Sequence, residues 1–213
     1  MKKLVLLLFF LGMALPAFAD EQIDAGIAQL QHAWAKAYYQ TPEKQQEDAM
    51  EKLADDAHKF TAAHPEAAEP KIWEAIILAS YAKAKGGLGA LSAAKKSRDL
   101  LLEAEKINPN ALNGSVYTSL GSLYYKVPGF PIGFGSKKKA QAYLDKALQL
   151  NPDGIDPNYF YADLMSEEGE YDKAVEYYKK ALAAPPRPGR EDADAGRRQE
   201  AEQGLRNAQK HLK

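Results

Sequence analysis

YAKAKGGLGALSAAKKSRDLLLEAEKINP, residues 81–109, and YYKVPGFPIGFGSKKKAQAYLDKALQLNP, residues 124–152, are the two stretches whose comparison decides the fold. Set against each other at an offset of 43 residues, they agree without a gap at nine of 29 positions. These are Tyr81/Tyr124, Lys83/Lys126, Gly86/Gly129, Lys95/Lys138, Lys96/Lys139, Leu101/Leu144, Ala104/Ala147, Asn108/Asn151 and Pro109/Pro152. Part of the pattern recurs after 34 residues, where Ala140, Leu144, Ala147 and Pro152 fall on Ala174, Tyr178, Ala181 and Pro186. Recurrence at a fixed interval marks a chain of stacked units, none of which can bury its apolar face alone.

The residue types say what the unit is. Two antiparallel helices approach closely only where side chains are small, with bulky ones filling the gaps beside them. Gly121 and Ala162 supply the small contact on first helices, and Ala140, Ala147, Ala174 and Ala181 on second helices. Leu120, Tyr124, Leu144, Tyr161 and Tyr178 supply the bulk. Tyr171, Ala174, Val175, Tyr178, Ala181 and Leu182 form one apolar stripe at helical spacing, leaving Asp172, Lys173, Glu176, Lys179 and Lys180 for water. The two longer copies insert about eight residues between their helices, 86–93 and 128–135, which read as extended loops.

Starts and stops complete the pattern. Thr41, Ser136 and Asp156 are the expected N-terminal caps, and Pro65, Pro109, Pro152 and Pro185-Pro186 the stops. Nine helices are predicted, over 21–39, 42–64, 70–85, 92–107, 113–126, 136–150, 157–168, 170–183 and 191–211, with no competing strand pattern. The expected architecture is all-α: a solenoid of about four helix pairs, residues 21–66, 70–111, 113–154 and 155–188, plus a C-terminal capping helix over 190–213. Residues 20–213 form a single domain in this reading.

The first residues read as a secretory signal peptide, residues 1–19: Lys2 and Lys3, an apolar run from Leu4 to Leu15, then Ala17-Phe18-Ala19 before Asp20. The run is shorter than the roughly 20 residues that span a bilayer, so cleavage after Ala19 and a periplasmic chain without a membrane anchor are expected. The chain has no cysteine, which removes disulfides, thiolate metal sites and an acylated cysteine anchor. Without Lys2 and Lys3, 26 basic side chains face 29 acidic ones, and no basic stripe suggests a nucleic-acid partner.

The helical period of 34 residues and the small and bulky positions resemble the tetratricopeptide repeat superfamily, over residues 70–188 and more loosely over 21–66. The segments VPGFPIGFG (127–135), NPDGIDPNYFYAD (151–163) and APPRPGREDADAGRR (184–198) are similar to exported proteobacterial repeat proteins near the T component of TRAP transporters. That resemblance implies a helical partner of a periplasmic solute-binding protein, commonly lipid-anchored and oligomeric around a ligand passage. The present chain departs from it in lacking the anchoring cysteine.

No residues assemble into a recognisable catalytic pattern. The four histidines, His32, His58, His64 and His211, form no i, i+4 pair for zinc, and Asp55, Asp56 and His58 read as a polar helix face. Gly133 to Lys138 lacks the order and preceding strand of a phosphate loop, and no GxSxG elbow occurs. Neither a cofactor nor a metal is expected, and binding rather than catalysis is the reading.

Taking Trp73, Tyr117 and Asn158 as equivalent positions, the residues left to face a concave groove are Lys71, Glu74, Leu78 and Tyr81, then Ser115, Thr118, Ser122 and Tyr125, then Tyr159 and Asp163. The tyrosines serve either as binding surface or as packing between repeats. Phe130 and Phe134 are either exposed anchors in their loop or covers for helix ends, and Arg187, Arg190, Arg197 and Arg198 either an anion site or a solvated terminus. The expected ligand is an envelope protein or an extended peptide from one. The alternative is a small solute, handled together with a TRAP-type solute-binding protein.

Overall fold

The computed structural model describes residues 15–213. Most of the expected signal peptide, residues 1–14, lies outside the described residues. The helices are α1 (Leu15–Ala35), α2 (Glu43–Ala63), α3 (Ala68–Lys85), α4 (Gly87–Ile107), α5 (Ala111–Lys126), α6 (Lys137–Leu150), α7 (Ile155–Glu167), α8 (Tyr171–Ala183) and α9 (Glu191–Lys210). A π-helical turn, Lys36–Gln40, follows α1 directly. Among the described residues there is no strand, only an isolated bridge between Gly129 and Gly135.

α3 with α4, α5 with α6 and α7 with α8 pack as close pairs, and successive first helices α3, α5 and α7 lie side by side. This is the all-α, tetratricopeptide-like solenoid that the repeats imply. Its seam is built as the small and bulky positions require. A Cβ on Gly121 would sit 2.6 Å from Leu144 Cγ, so α5 and α6 touch only because that position carries hydrogen. Leu144 is fully buried there, a burial that contributes about 1.5–3 kcal/mol. Ala140, Ala162, Ala174 and Ala181 are likewise fully buried, and Tyr178 nearly so.

Of five local expectations, three differ from the structure and two agree with it. The segment 86–93 is not a loop: α4 begins at Gly87, and the turn from α3 is spent on Gly86 and Gly87, at φ 63° and 59°. A left-handed residue is cheap at glycine, and a helical Gly costs only about 1 kcal/mol, which packing against α3 offsets. Residues 128–135 do form a loop. Ser136 caps α6 as expected, accepting from the Lys139 amide at 3.3 Å. Thr41 does not cap α2, because its hydroxyl donates back to the Lys36 carbonyl at 3.2 Å. Asp156 lies inside α7, and its carboxylate goes to two arginines instead.

α5 opens with a left-handed turn at Leu112, Asn113 and Gly114, at φ 51°, 55° and 73°, before becoming regular. Only the glycine takes that conformation freely.

The ends depart furthest from a simple stack. α1 touches α2, α3 and α9 about equally lightly, while α2 packs closely on α3. The pair over 21–66 is therefore not a hairpin of the kind that follows it. α9 caps α8 as expected and does more. It buries Ala193, Ala201 and Ala208, packs on α8 and reaches back to α1 and the π turn. His32 on α1 and Asp192 on α9, 160 residues apart in sequence, stand 3.1 Å apart. The solenoid thus closes on itself. No helix among the described residues is long and apolar enough to cross a membrane.

Candidate functional site

Closure turns the concave side into a trough of about 910 Å³. First helices α3, α5 and α7 line it, the start of α4 and the loop at Val127, Pro128 and Ile132 form one end, and Arg187, Arg190, Arg197 and Glu200 the other. The side wall comes from α1 and the π turn through Gln31, Trp34, Tyr38 and Tyr39. A π turn holds an extra residue, which rotates the chain against its α-helical register. Here Tyr38 and Tyr39 project together, their rings edge to face at 4.8 Å.

The walls are mostly apolar and aromatic. Trp34 stacks on Tyr38 at 5.1 Å, meets Trp73 edge-on at 6.0 Å, and donates from Nε1 to Ser80 Oγ at 2.8 Å. Ile76, Ala79, Ala90, Leu91 and Leu123 extend the apolar surface, and Ser115, Ser119 and Ser122 add hydroxyls along α5.

The charged groups are arranged as a closed network. Asp156 accepts from Arg187 at 2.7 Å and from Arg197 Nε at 2.8 Å. Burial alone would raise its pKa, but the two guanidiniums, Arg197 foremost, hold it well below the usual carboxylate range. Arg197 also donates to Glu200 at 2.6 Å, and Tyr39 donates to the same carboxylate at 3.0 Å, joining the π turn to α9. Arg198 caps the end of α8 by donating to the Leu182 and Ala184 carbonyls. Arg187, Arg197 and Arg198 are thus structural ties rather than a solvated terminus.

The residues proposed from sequence divide by helix. Ser115, Thr118 and Ser122 on α5 and Tyr159 and Asp163 on α7 line the trough. Lys71, Glu74, Leu78 and Tyr81 on α3 do not. Glu74 is fully buried between His58 and Lys96, each at 3.0 Å, Lys71 pairs with Glu103, and Tyr81 donates to Glu51 at 2.6 Å. Leu78 is core.

The cause is a one-residue slip. Equating Trp73 with Tyr117 uses an offset of 44, whereas the repeat itself has 43, and one residue turns a helix face by about 100°. At 43, Ser119, Ser122 and Lys126 fall on Ile76, Ala79 and Lys83, all of which line the trough.

Tyr125 also turns away. It is buried, donates to Asp163 Oδ2 at 2.7 Å, and its pKa is pushed well up by burial and by that carboxylate. Phe134 folds back on Tyr124, with Arg98 over its ring at 4.5 Å. Phe130 is 94% exposed and Ile132 66%. Sequence spacing does not reach Trp34, Tyr38 and Tyr39, because they belong to no matched repeat position and enter the trough through contacts with Trp73, Ser80 and Lys83 of α3 and Glu200 of α9. Among the described residues no group of three or more His, Asp or Glu side chains converges as a metal site.

Residues 135–191 match the sequence model of a tetratricopeptide repeat family. In fold the chain is similar to TTC0263, a thermophilic TPR protein of Thermus thermophilus, with a TM-score of 0.56 and 19% identity over 90% of this chain and 94% of that one. A looser likeness is to MamA, at TM-score 0.41 and 18% identity over 79% of this chain and 92% of that one. No curated protein sequence matches.

Proposed function

We propose that this protein is a non-catalytic binding module of the bacterial cell envelope, which recognises a partner protein by a segment held in the trough. The observation that carries the reading is the trough itself: about 910 Å³ faced by Trp34, Trp73, Tyr159 and three α5 serines. Aromatic side chains give large contact area at low entropic cost, and the serines supply hydrogen bonds without imposing charge. The repeat fold supports interaction as the role. Export to the periplasm is part of the proposal and rests on Lys2, Lys3, the apolar run and Ala17-Phe18-Ala19.

A second reading has its own observation. Contact of α1 with α9 makes the groove a cup rather than an open channel, and its volume falls within the roughly 300–1,000 Å³ of small-molecule sites. A small solute, passed to or from a TRAP-type solute-binding protein, fits that shape.

Filling the trough tests both. Ser119→Trp places a large ring into the void from a half-buried position. Capture of a partner from periplasmic extract, or retention of a co-purified solute in native mass spectrometry, is expected for the wild type and lost in the variant. Equal capture by a folded variant rules the trough out as the binding site.

A further inference from the structure

The end of the trough at α9 holds three arginines, and the carboxylates there are divided unequally among them. Asp156 serves Arg187 and Arg197, Asp194 serves Arg187 at 2.7 Å, Glu200 serves Arg197, and Asp192 serves His32. Arg190 receives none. Lys83 donates to the Tyr38 hydroxyl, and Lys126 donates to Glu167 and pairs with Asp163. Among the described residues lining the trough, Arg190 is therefore the cationic side chain left without an acceptor. Its Nε is buried with no hydrogen-bond partner.

The guanidinium lies over Trp73, 5.0 Å from the ring centroid, and Trp73 Nε1 is a second buried donor without an acceptor. Burial, and then the charge of Arg187, lowers the Arg190 pKa. A half-buried cation among paired neighbours is costly until an anion completes it. Asp153, a lining acid with no ion pair, is exposed to solvent and bears no comparable cost.

We propose that Arg190 is the anion-recognising residue of the trough, and that the ligand carries one carboxylate on an apolar body. The inference rests on the trough being the binding site. A planar guanidinium fork matches a carboxylate, and stacking on Trp73 fixes its plane. One cation without an acceptor suits one negative charge: Lys83, which has no carboxylate partner among the described residues, is engaged by the Tyr38 hydroxyl and ring, and a dianionic phosphate at Arg190 would face Asp156 and Asp194. The apolar wall of Trp34, Ile76 and Leu123 takes the body. Two sources share this chemistry: a free small acid, and the end of a polypeptide with an apolar terminal residue.

Both tryptophans of the chain, Trp34 and Trp73, line the trough, so intrinsic fluorescence reports occupancy. The probes are decanoate, decanol, decyltrimethylammonium, and an N-acetylated leucine-phenylalanine dipeptide with free or amidated terminus. A carboxylate probe should bind about tenfold or more tighter than its neutral counterpart, as a hydrogen bond to a charged group implies. Arg190→Gln should reduce carboxylate binding to the neutral level and leave decanol unchanged, and Arg190→Lys should restore part of the loss.

Tighter decanoate assigns the free acid, and a tighter dipeptide that weakens on amidation assigns the chain terminus. Equal binding of decanoate and decanol, or carboxylate binding unchanged in Arg190→Gln, overturns the role of Arg190 while the trough stands. No binding of any probe, to a protein whose partner capture is still abolished by Ser119→Trp, overturns the ligand class. If Ser119→Trp leaves capture intact, the trough reading fails with it.

Discussion

The pairs from α3 to α8 and the two ends that meet across them are held by different means. In the stack, contact is between neighbouring helices and mainly apolar: Gly121 admits Leu144 and alanines of α6, α7 and α8 are buried, with the pairs of Glu74 with Lys96 and of Tyr125 with Asp163 as polar exceptions. Where α9 returns across the stack the contact is long-range and polar: His32 of α1 with Asp192, Tyr39 of the π turn with Glu200, and Arg197 with Asp156 of α7. The stack provides the fold, and the junction converts a curved surface into a trough. Loss of the junction should open the site and leave the helix pairs standing.

The largest effect is expected at Asp156. Breaking a buried pair by removing one partner costs about 3–5 kcal/mol, and Asp156, with 27% of its side chain exposed, belongs at the low end. Asp156→Asn should lose about 3 kcal/mol in urea denaturation at neutral pH. Its pKa is held below the unfolded value of about 3.9, so the carboxylate stabilises the fold above that pH and loses its contribution as pH falls further. The gap between wild type and variant should therefore stay constant from about pH 7 to pH 5 and shrink only below the usual carboxylate range.

One substitution at two places sharpens the contrast. Gly121→Ala puts a methyl group 2.6 Å from Leu144 Cγ inside the stack. Overpacking costs about 1–3 kcal/mol, offset in part by about 1 kcal/mol of improved helix propensity, so net destabilisation is expected. Gly196→Ala puts the methyl 2.4 Å from Tyr39 Cγ, at the base of the ring, so the π turn itself must yield locally. Global stability should then change by less than about 1 kcal/mol, while amide exchange over Lys36–Gln40 accelerates. The smallest effect is at Asn113, left-handed at φ 55°: Asn113→Gly should stabilise by no more than about 1 kcal/mol in the same titration.

This division also explains what the sequence discloses. Gly121, Leu144, Ala147 and Ala181 recur at matched intervals because each unit buries its own seam, so the stack is readable from residue types alone. α4 is less legible, since Gly86-Gly87-Leu88-Gly89 carries turn chemistry, yet the helix already begins at Gly87. The groove face on α5 follows from spacing, whereas that on α3 is lost by a single position of register. The arginine network leaves no periodic trace: Asp156 meets Arg187 and Arg197 from 31 and 41 residues away. Nothing local tells such a pair from solvated charges, and Trp34 and Tyr38 enter the site through tertiary contacts with α3 that no repeat spacing marks.

Closure of the two ends is best tested on the intact chain, which contains no cysteine of its own. His32→Cys and Asp192→Cys, introduced together at side chains now 3.1 Å apart, should be joined within one molecule by a short rigid bismaleimide, at high yield and in dilute solution. Intramolecular product at the level seen in urea, or only between molecules, would mean that the ends stand apart and the trough is an open groove.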